Sequence, residues 1–164
     1  MHKRIIVVDL EASGWNGYPI ELGWSEVGAG AYESFLIRPN PSWISCCEWD
    51  PSAEDAHGVS FEMLDREGYD PDAVIFPFLK AIDGAIVISD APEFDQFWLD
   101  QLFDASYLFT TKEGRVALQS IHSVFPKFDL LKFENETENR KKHRAGPDAL
   151  ALSNHLYSIT SNEE

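Results

Sequence analysis

Two periodicities of apolar and polar residues run along this chain, and the switches between them mark its elements. Residues 3–10 are β-branched and almost continuously apolar, which predicts a strand buried on both faces. Residues 20–27 and 31–37 predict two more strands, joined by a hairpin turn at Gly28-Ala29-Gly30. A Pro- and Ser-rich loop follows over 38–49, then a short helix over 51–56 and another from about Ser60. Asp70-Pro71-Asp72 predicts a helix start, with Asp70 as N-cap and Pro71 as first helical residue, and the helix runs to about Ile82. Residues 85–89 predict a second fully buried strand, and Pro92 opens a helix reaching Phe103 whose core face is Phe94, Phe97, Trp98 and Leu102. Further elements are expected as a strand over 107–110, a helix over 116–125 and a helix over 147–159 with Pro147 in its first turn. Strands first, then helices alternating with strands, gives an α/β domain around a mixed sheet.

Length and composition narrow this picture. The 164 residues fit one domain, taken as 1–164, with no repeat, low-complexity tract or linker. The N-terminal apolar run is four residues long before Asp9, too short for a secretory leader, and no run approaches a membrane span. Cys46 and Cys47 are adjacent and read as unpaired thiols, so a cytoplasmic location is expected. The net charge of −15 argues against tight, non-specific binding of duplex nucleic acid. Four of the 13 Lys and Arg residues nevertheless fall in Arg140-Lys141-Lys142-His143-Arg144, a local basic segment suited to a short single strand.

Three stretches carry candidate chemistry. Asp9 and Glu11 end the first strand, and residues two apart share a face. Charges there cannot enter the core, so they lie at the sheet rim either as solvated acids or as a pair that invites a cation. Gly14 and Trp15 follow, where the chain can turn closely over a bound group. Asp95 lies in the first turn of the Pro92 helix, as a helix-dipole partner or a metal ligand. In His143-Arg144-Ala145-Gly146-Pro147-Asp148, Pro147 places Asp148 in a first helical turn while His143 stays in the preceding loop. A carboxylate and an imidazole so spaced suit a ligand and a proton acceptor, or a surface histidine in a basic loop. His57 reads as a hydrogen-bonded loop residue.

Taken in order, these segments resemble the DEDDh-type 3′→5′ exonucleases of the RNase H-like superfamily, which include polymerase proofreading subunits, RNase T and oligoribonuclease. The first motif is Val7-Val8-Asp9-Leu10-Glu11-Ala12-Ser13-Gly14, the second ends Phe94-Asp95, and the third is His143-Arg144-Ala145 with Asp148-Ala149. Ala56-His57-Gly58-Val59 is similar to a segment between the first two. The likeness runs from Ile5 to about Leu156. It departs at Asp90-Ala91-Pro92, where many members carry His-Asn-Ala, and at Ala12-Ser13, where a Thr is usual and Ser13 stands in. The resemblance implies an RNase H-like mixed sheet, its first three strands antiparallel and the rest parallel, flanked by helices.

It further implies two Mg²⁺ or Mn²⁺ ions held by Asp9, Glu11, Asp95 and Asp148, with Glu11 and His143 catalytic and His143 the general base. The implied reaction is hydrolysis of single-stranded DNA or RNA from the 3′ end, releasing nucleoside 5′-monophosphates. Ser13, Gly14, Trp15, Tyr18 and Arg144 are expected at the substrate, Trp15 and Tyr18 by stacking on the terminal base or else as rim packing. The basic segment steers phosphates, or else balances the acids of 134–138. Relatives occur alone, as homodimers and as polymerase subunits, so a homodimer is among the implied assemblies. Two other readings fit the motifs less well. A binding module on the same fold would lack one of the five site residues, all of which are present. An aspartyl phosphatase would carry Asp where this chain has Glu11.

Overall fold

β1 (Ile5–Ala12) is the middle strand of a five-stranded sheet, and its position follows from its run of apolar residues. The computed structural model describes residues 3–108, 115–137 and 142–161. β2 (Pro19–Glu26) pairs antiparallel with β1, and β3 (Tyr32–Leu36) antiparallel with β2. Gly28 and Gly30, at φ 89° and 67°, make the turn between β2 and β3, a region of φ that glycine enters without a Cβ clash. The chain then leaves the sheet for α1 (Pro41–Cys46), α2 (Pro51–His57), α3 (Phe61–Glu67) and α4 (Pro71–Ile82). β4 (Ile86–Ser89) returns parallel to β1, followed by α5 (Pro92–Asp104). β5 (Gln119–Ser120) adds parallel to β4, and α6 (Ile121–Val124), α7 (Leu130–Thr137) and α8 (Ala145–Ser161) complete the described chain. The strand order is β3-β2-β1-β4-β5, the mixed RNase H-like sheet that the motifs imply. No described helix is long and apolar enough to cross a membrane.

The pleat of β1 divides the core. Ile6, Val8 and Leu10 face α4 and α5, packing with Val74, Ile75, Phe78, Leu99 and Leu102. Val7 faces the opposite way, toward Ala149, Leu152 and Leu156 of α8 and Phe128 and Phe133 near α7. Asp9 and Glu11 continue the Val7 stripe, so both carboxylates emerge on the α8 side. On β2 the same side carries Glu21, Gly23 and Ser25, none of them a large apolar residue. Each meets its counterpart on the α8 segment. Arg144 pairs with Glu21, Gly146 lies against Gly23, and the Ser153 hydroxyl is 2.7 Å from that of Ser25. A Cβ on Gly23 would stand 2.3 Å from the Gly146 nitrogen, so glycine here is what permits helix and strand to touch.

Several sequence expectations need correction. In α5 the buried residues are Asp95, Trp98, Leu99, Leu102 and Phe103, an i, i+3, i+4, i+7, i+8 stripe. Phe94 and Phe97, expected on the core face, stand one position off it and are 46 % and 51 % exposed. The expected helix over 116–125 is instead extended chain, the short β5 and one turn of α6, because parallel pairing with β4 outweighs local helical preference. Of the strand expected over 107–110, Tyr107 and Leu108 form a turn and the remainder lies outside the described residues. α1 arises within the expected loop, capped by Asn40 on the Ser42 amide with Pro41 behind it. α7 was not anticipated. The Asp70 side chain makes no cap hydrogen bond and pairs at 2.8 Å with Arg38 instead, although α4 has the expected limits.

Gly23→Ala is expected to lower unfolding free energy by about 1–3 kcal/mol, the scale of overpacking in a tight interior. Denaturant titration measures this, and a wild-type midpoint would disprove the close-contact role.

Candidate metal centre

The sheet's topology opens a site at the end of β1. β4 pairs with β1 only as far as Val7 opposite Ile88, so the β1 edge beyond that point faces no strand. Asp95, in the first turn of α5, fills this gap and accepts the Leu10 amide with its carboxylate. The Ser89 hydroxyl, at the end of β4, donates to Asp95 Oδ2 and accepts the Ala91 amide at 2.9 Å, fixing Asp95 at 2 % exposure. Asp90, next along the chain, turns into the same space. From the other side α8 delivers Asp148, whose Oδ2 accepts the Arg144 amide at 3.2 Å.

These arrivals produce two carboxylate triads that share one member. Oxygens of Asp9, Glu11 and Asp148 lie within 4.8 Å of one another, and so do oxygens of Asp9, Asp90 and Asp95. All four acids expected as ligands therefore converge, with Asp9 common to both groups. His143 stands at the rim, 69 % exposed, its backbone amide donating to the Ala56 carbonyl at 3.0 Å. Its Nδ1 is 3.5 Å from Asp148 Oδ2, leaving Nε2 as the nitrogen not directed at Asp148. A cleft of about 350 Å³ is bordered by Asp9, Asp90, Glu134, His143 and Asp148. A second hollow of about 280 Å³ lies past Glu11, between Trp15, His57, Trp98 and His143.

So much negative charge raises the proton affinity of the cluster. Burial first, then the charges of Asp95 and Glu11, hold Asp9 well above the ordinary carboxylate range. Glu11 is pushed up to about 8 by burial and by Asp148 and Glu21, with Arg144 pulling the other way. Asp95 rises to about 7 through burial, against the Ser89 hydrogen bond, and burial also raises Asp90. At ~4 Å and an effective dielectric near 20, each like-charge pair costs about 4 kcal/mol. A few such pairs rival a whole domain's stability, ~5–15 kcal/mol. Protons or cations must therefore accompany the cluster, and an all-carboxylate donor set suits hard divalent ions such as Mg²⁺ or Mn²⁺. The residues present fit such ions: among the described residues, no hydrogen bond or ion pair reaches the Asp9 side chain.

Glu21 is where the charge is answered by protein. It lies opposite Glu11 in the β1–β2 register and is 1 % exposed. Arg144 grips it in a two-pronged ion pair, Nε and Nη2 each 2.8 Å from a carboxylate oxygen, and the Ala145 amide adds a third contact at 3.2 Å. Arg144, expected at the substrate, thus spends its guanidinium on holding the start of α8 to β2. Arg140 and Lys141 of the basic segment lie outside the described residues, and Lys142 donates to the Asp55 carbonyl.

The other expected substrate residues separate by burial. Ser13 is 1 % exposed, its hydroxyl donating to the Glu48 carbonyl at 2.7 Å and accepting the Tyr18 amide at 3.0 Å, so it ties the turn after β1 to the α1–α2 connection. Gly14 is buried there, where a Cβ would come within 3.0 Å of Asp50 Cβ. Tyr18, expected to stack on a base, is 2 % exposed and stacks on Trp43 with ring centroids 5.7 Å apart, because its strand-side position faces the core. Trp15 is 67 % exposed and meets Phe94 edge-on at 4.8 Å, which leaves an aromatic face beside the second hollow. Asp90 and Glu21 were missed in the sequence. Asp90 stands at a buried strand's end just as Asp9 does, and Glu21 is a charge inside an apolar strand, so both signals were available.

No family model and no curated protein matches the chain by sequence. Its fold, however, is similar to solved structures. E. coli exonuclease I in complex with a 5cy-dA13 oligonucleotide superposes with TM-score 0.68 at 12 % identity, over 98 % of this chain and 41 % of that one. Exonuclease X in complex with 5′-overhanging duplex DNA gives 0.60 at 16 % identity, over 96 % and 92 %. The zinc-bound E. coli exonuclease I–ssDNA complex gives 0.64 at 13 % identity, over 98 % and 41 %. The chain spans less than half the length of exonuclease I and most of the length of exonuclease X, and at these identities the likeness is one of fold.

Two outcomes follow from the charge balance. Folded Glu11 and Asp95 keep protons that the unfolded chain has already lost, so metal-free stability falls as pH rises from about 4.5 towards about 8. Thermal melts in EDTA should show this decline, and Mg²⁺ or Mn²⁺ should raise the melting temperature most at the alkaline end; an equal cation effect at acid pH would refute the cluster's charge. Arg144→Ala should cost about 3 kcal/mol in denaturant unfolding, since it leaves Glu21 buried without its partner.

Proposed function

We propose that this chain is a metal-dependent 3′→5′ exonuclease acting on single-stranded DNA or RNA and releasing nucleoside 5′-monophosphates. One observation carries the reading: on an RNase H-like sheet, Asp9 lies within ligating range of Glu11 and Asp148 on one side and of Asp95 on the other, acids scattered over the chain, with His143 at the rim. The fold's likeness to exonucleases crystallised with oligonucleotides supports the same class. Divalent cations in the cluster supply activation of water and neutralisation of charge on the phosphodiester.

The protein's own groups do the rest. Asp9, Glu11, Asp95 and Asp148 hold the ions. His143, its Nδ1 toward Asp148, keeps Nε2 unprotonated in the neutral ring and takes the proton of the attacking water there; Asp148 then steadies the imidazolium. Trp15 offers its exposed face to a terminal base, a contact indifferent to sequence and worth ~1–3 kcal/mol. With net charge −15, the surface disfavours long duplexes and selects short or single-stranded ends held through the ions.

End-labelled single-stranded DNA and RNA, incubated with Mg²⁺, Mn²⁺ or EDTA, should shorten stepwise from the 3′ end only with metal. Asp9→Ala should abolish cleavage and His143→Ala reduce kcat ~10²–10⁴-fold. Cleavage that survives Asp9→Ala, or internal cuts in a circular strand, would sink the proposal.

A further inference from the structure

We propose that Asp90 is a fifth metal-binding carboxylate, which gives the second ion protein ligands of its own and lets the chain hold two divalent cations before any nucleic acid arrives. The inference rests on the nuclease reading above but concerns a residue outside its four acids. The two triads differ in origin. Asp9, Glu11 and Asp148 come from β1 and the start of α8, whereas Asp9, Asp90 and Asp95 come from β1, the end of β4 and the start of α5. Without Asp90 the second position would have only Asp9, already shared with the first, and Asp95, one of whose oxygens takes the Ser89 hydroxyl. Two carboxylates so committed leave an ion dependent on substrate phosphate. With Asp90 the second position has three, each from a different element.

Its place in the fold favours this role over that of a surface acid. Asp90 follows β4 directly, is half-buried, and borders the 350 Å³ cleft together with Asp9, Asp148 and His143. Among the described residues no lysine or arginine pairs with it, in contrast to Glu21, which has Arg144. Glu134 of α7 borders the same cleft and adds to the negative potential at Asp90. The other way to tolerate such a triad is a proton shared among its members, and that arrangement would bind no second ion.

Mn²⁺ binding to the full chain in the absence of nucleic acid, followed by calorimetry and by loss of the free-ion paramagnetic resonance signal, separates the two. Two ions per chain are expected for the wild type. Asp90→Asn, which keeps the shape, should retain one and weaken the other at least about tenfold, while Asp148→Asn should weaken the opposite site and leave Asp90's ion in place. Thermal melts of both variants in EDTA verify that they fold. A single ion in the wild type, or Asp90→Asn with both affinities within about twofold of wild type, would overturn the assignment. Two ions lost singly by these variants in a protein that cleaves no nucleic acid would uphold Asp90 and reject the nuclease reading. Cleavage with only one ion bound before substrate would do the reverse.

Discussion

Repulsion among carboxylates at the end of β1 is the constraint around which this molecule is organised. Asp9, Glu11, Glu21, Asp90, Asp95 and Asp148 gather where the ends of β1 and β4 meet the starts of α5 and α8 beside β2, and folding alone gives no reason to bring them there. Each unscreened pair opposes folding by an amount comparable with a good fraction of the net stability. The rest of the structure can be understood as the means of holding these groups in place despite that cost.

Three local devices do so. The ladder between β1 and β4 stops early, which frees the Leu10 amide for Asp95, and Ser89 secures the same carboxylate from behind. On the far side, Glu21 takes the one guanidinium among the described residues that reaches the cluster, and Arg144 thereby pins the chain just before α8. Gly23 and Gly146 remove the Cβ atoms that would otherwise keep α8 away from β2. Asp148 and His143 flank Arg144, so the ion pair that answers one charge also positions the proposed ligand and the proposed base. The centre is thus held by neighbouring parts of the fold that are themselves buried and well bonded, while Trp15 and His143 stay exposed to solvent.

Much of this was legible in the residues, and the failures have identifiable causes. The strands from residues 5 to 36 and helices α4 and α5 follow from apolar period and from Pro and Asp at their starts, which are local rules. The face of α5 was misjudged because Phe94 and Phe97 look like core on hydrophobicity alone. The helix turns instead on Asp95, whose burial is purchased by a hydrogen bond to a distant strand. The region 116–125 has helical composition, yet a partner strand thirty residues earlier claims part of it. Tyr18 and Trp15, three apart in one turn, take opposite fates that no pattern distinguishes, since one faces Trp43 and the other faces solvent.

By itself the sequence determined the α/β alternation, the five candidate site residues and their attachment to element ends. Such features depend on neighbours within a few positions, and a charge at the end of an apolar run can only be at the rim. Tertiary structure decided which acids share an ion-sized space, that Asp90 joins them, and that Arg144 serves Glu21 rather than standing free. Those outcomes turn on distances between segments more than a hundred residues apart, and a one-dimensional pattern holds no measure of such distances until the sheet order and the Gly23–Gly146 contact bring the segments together.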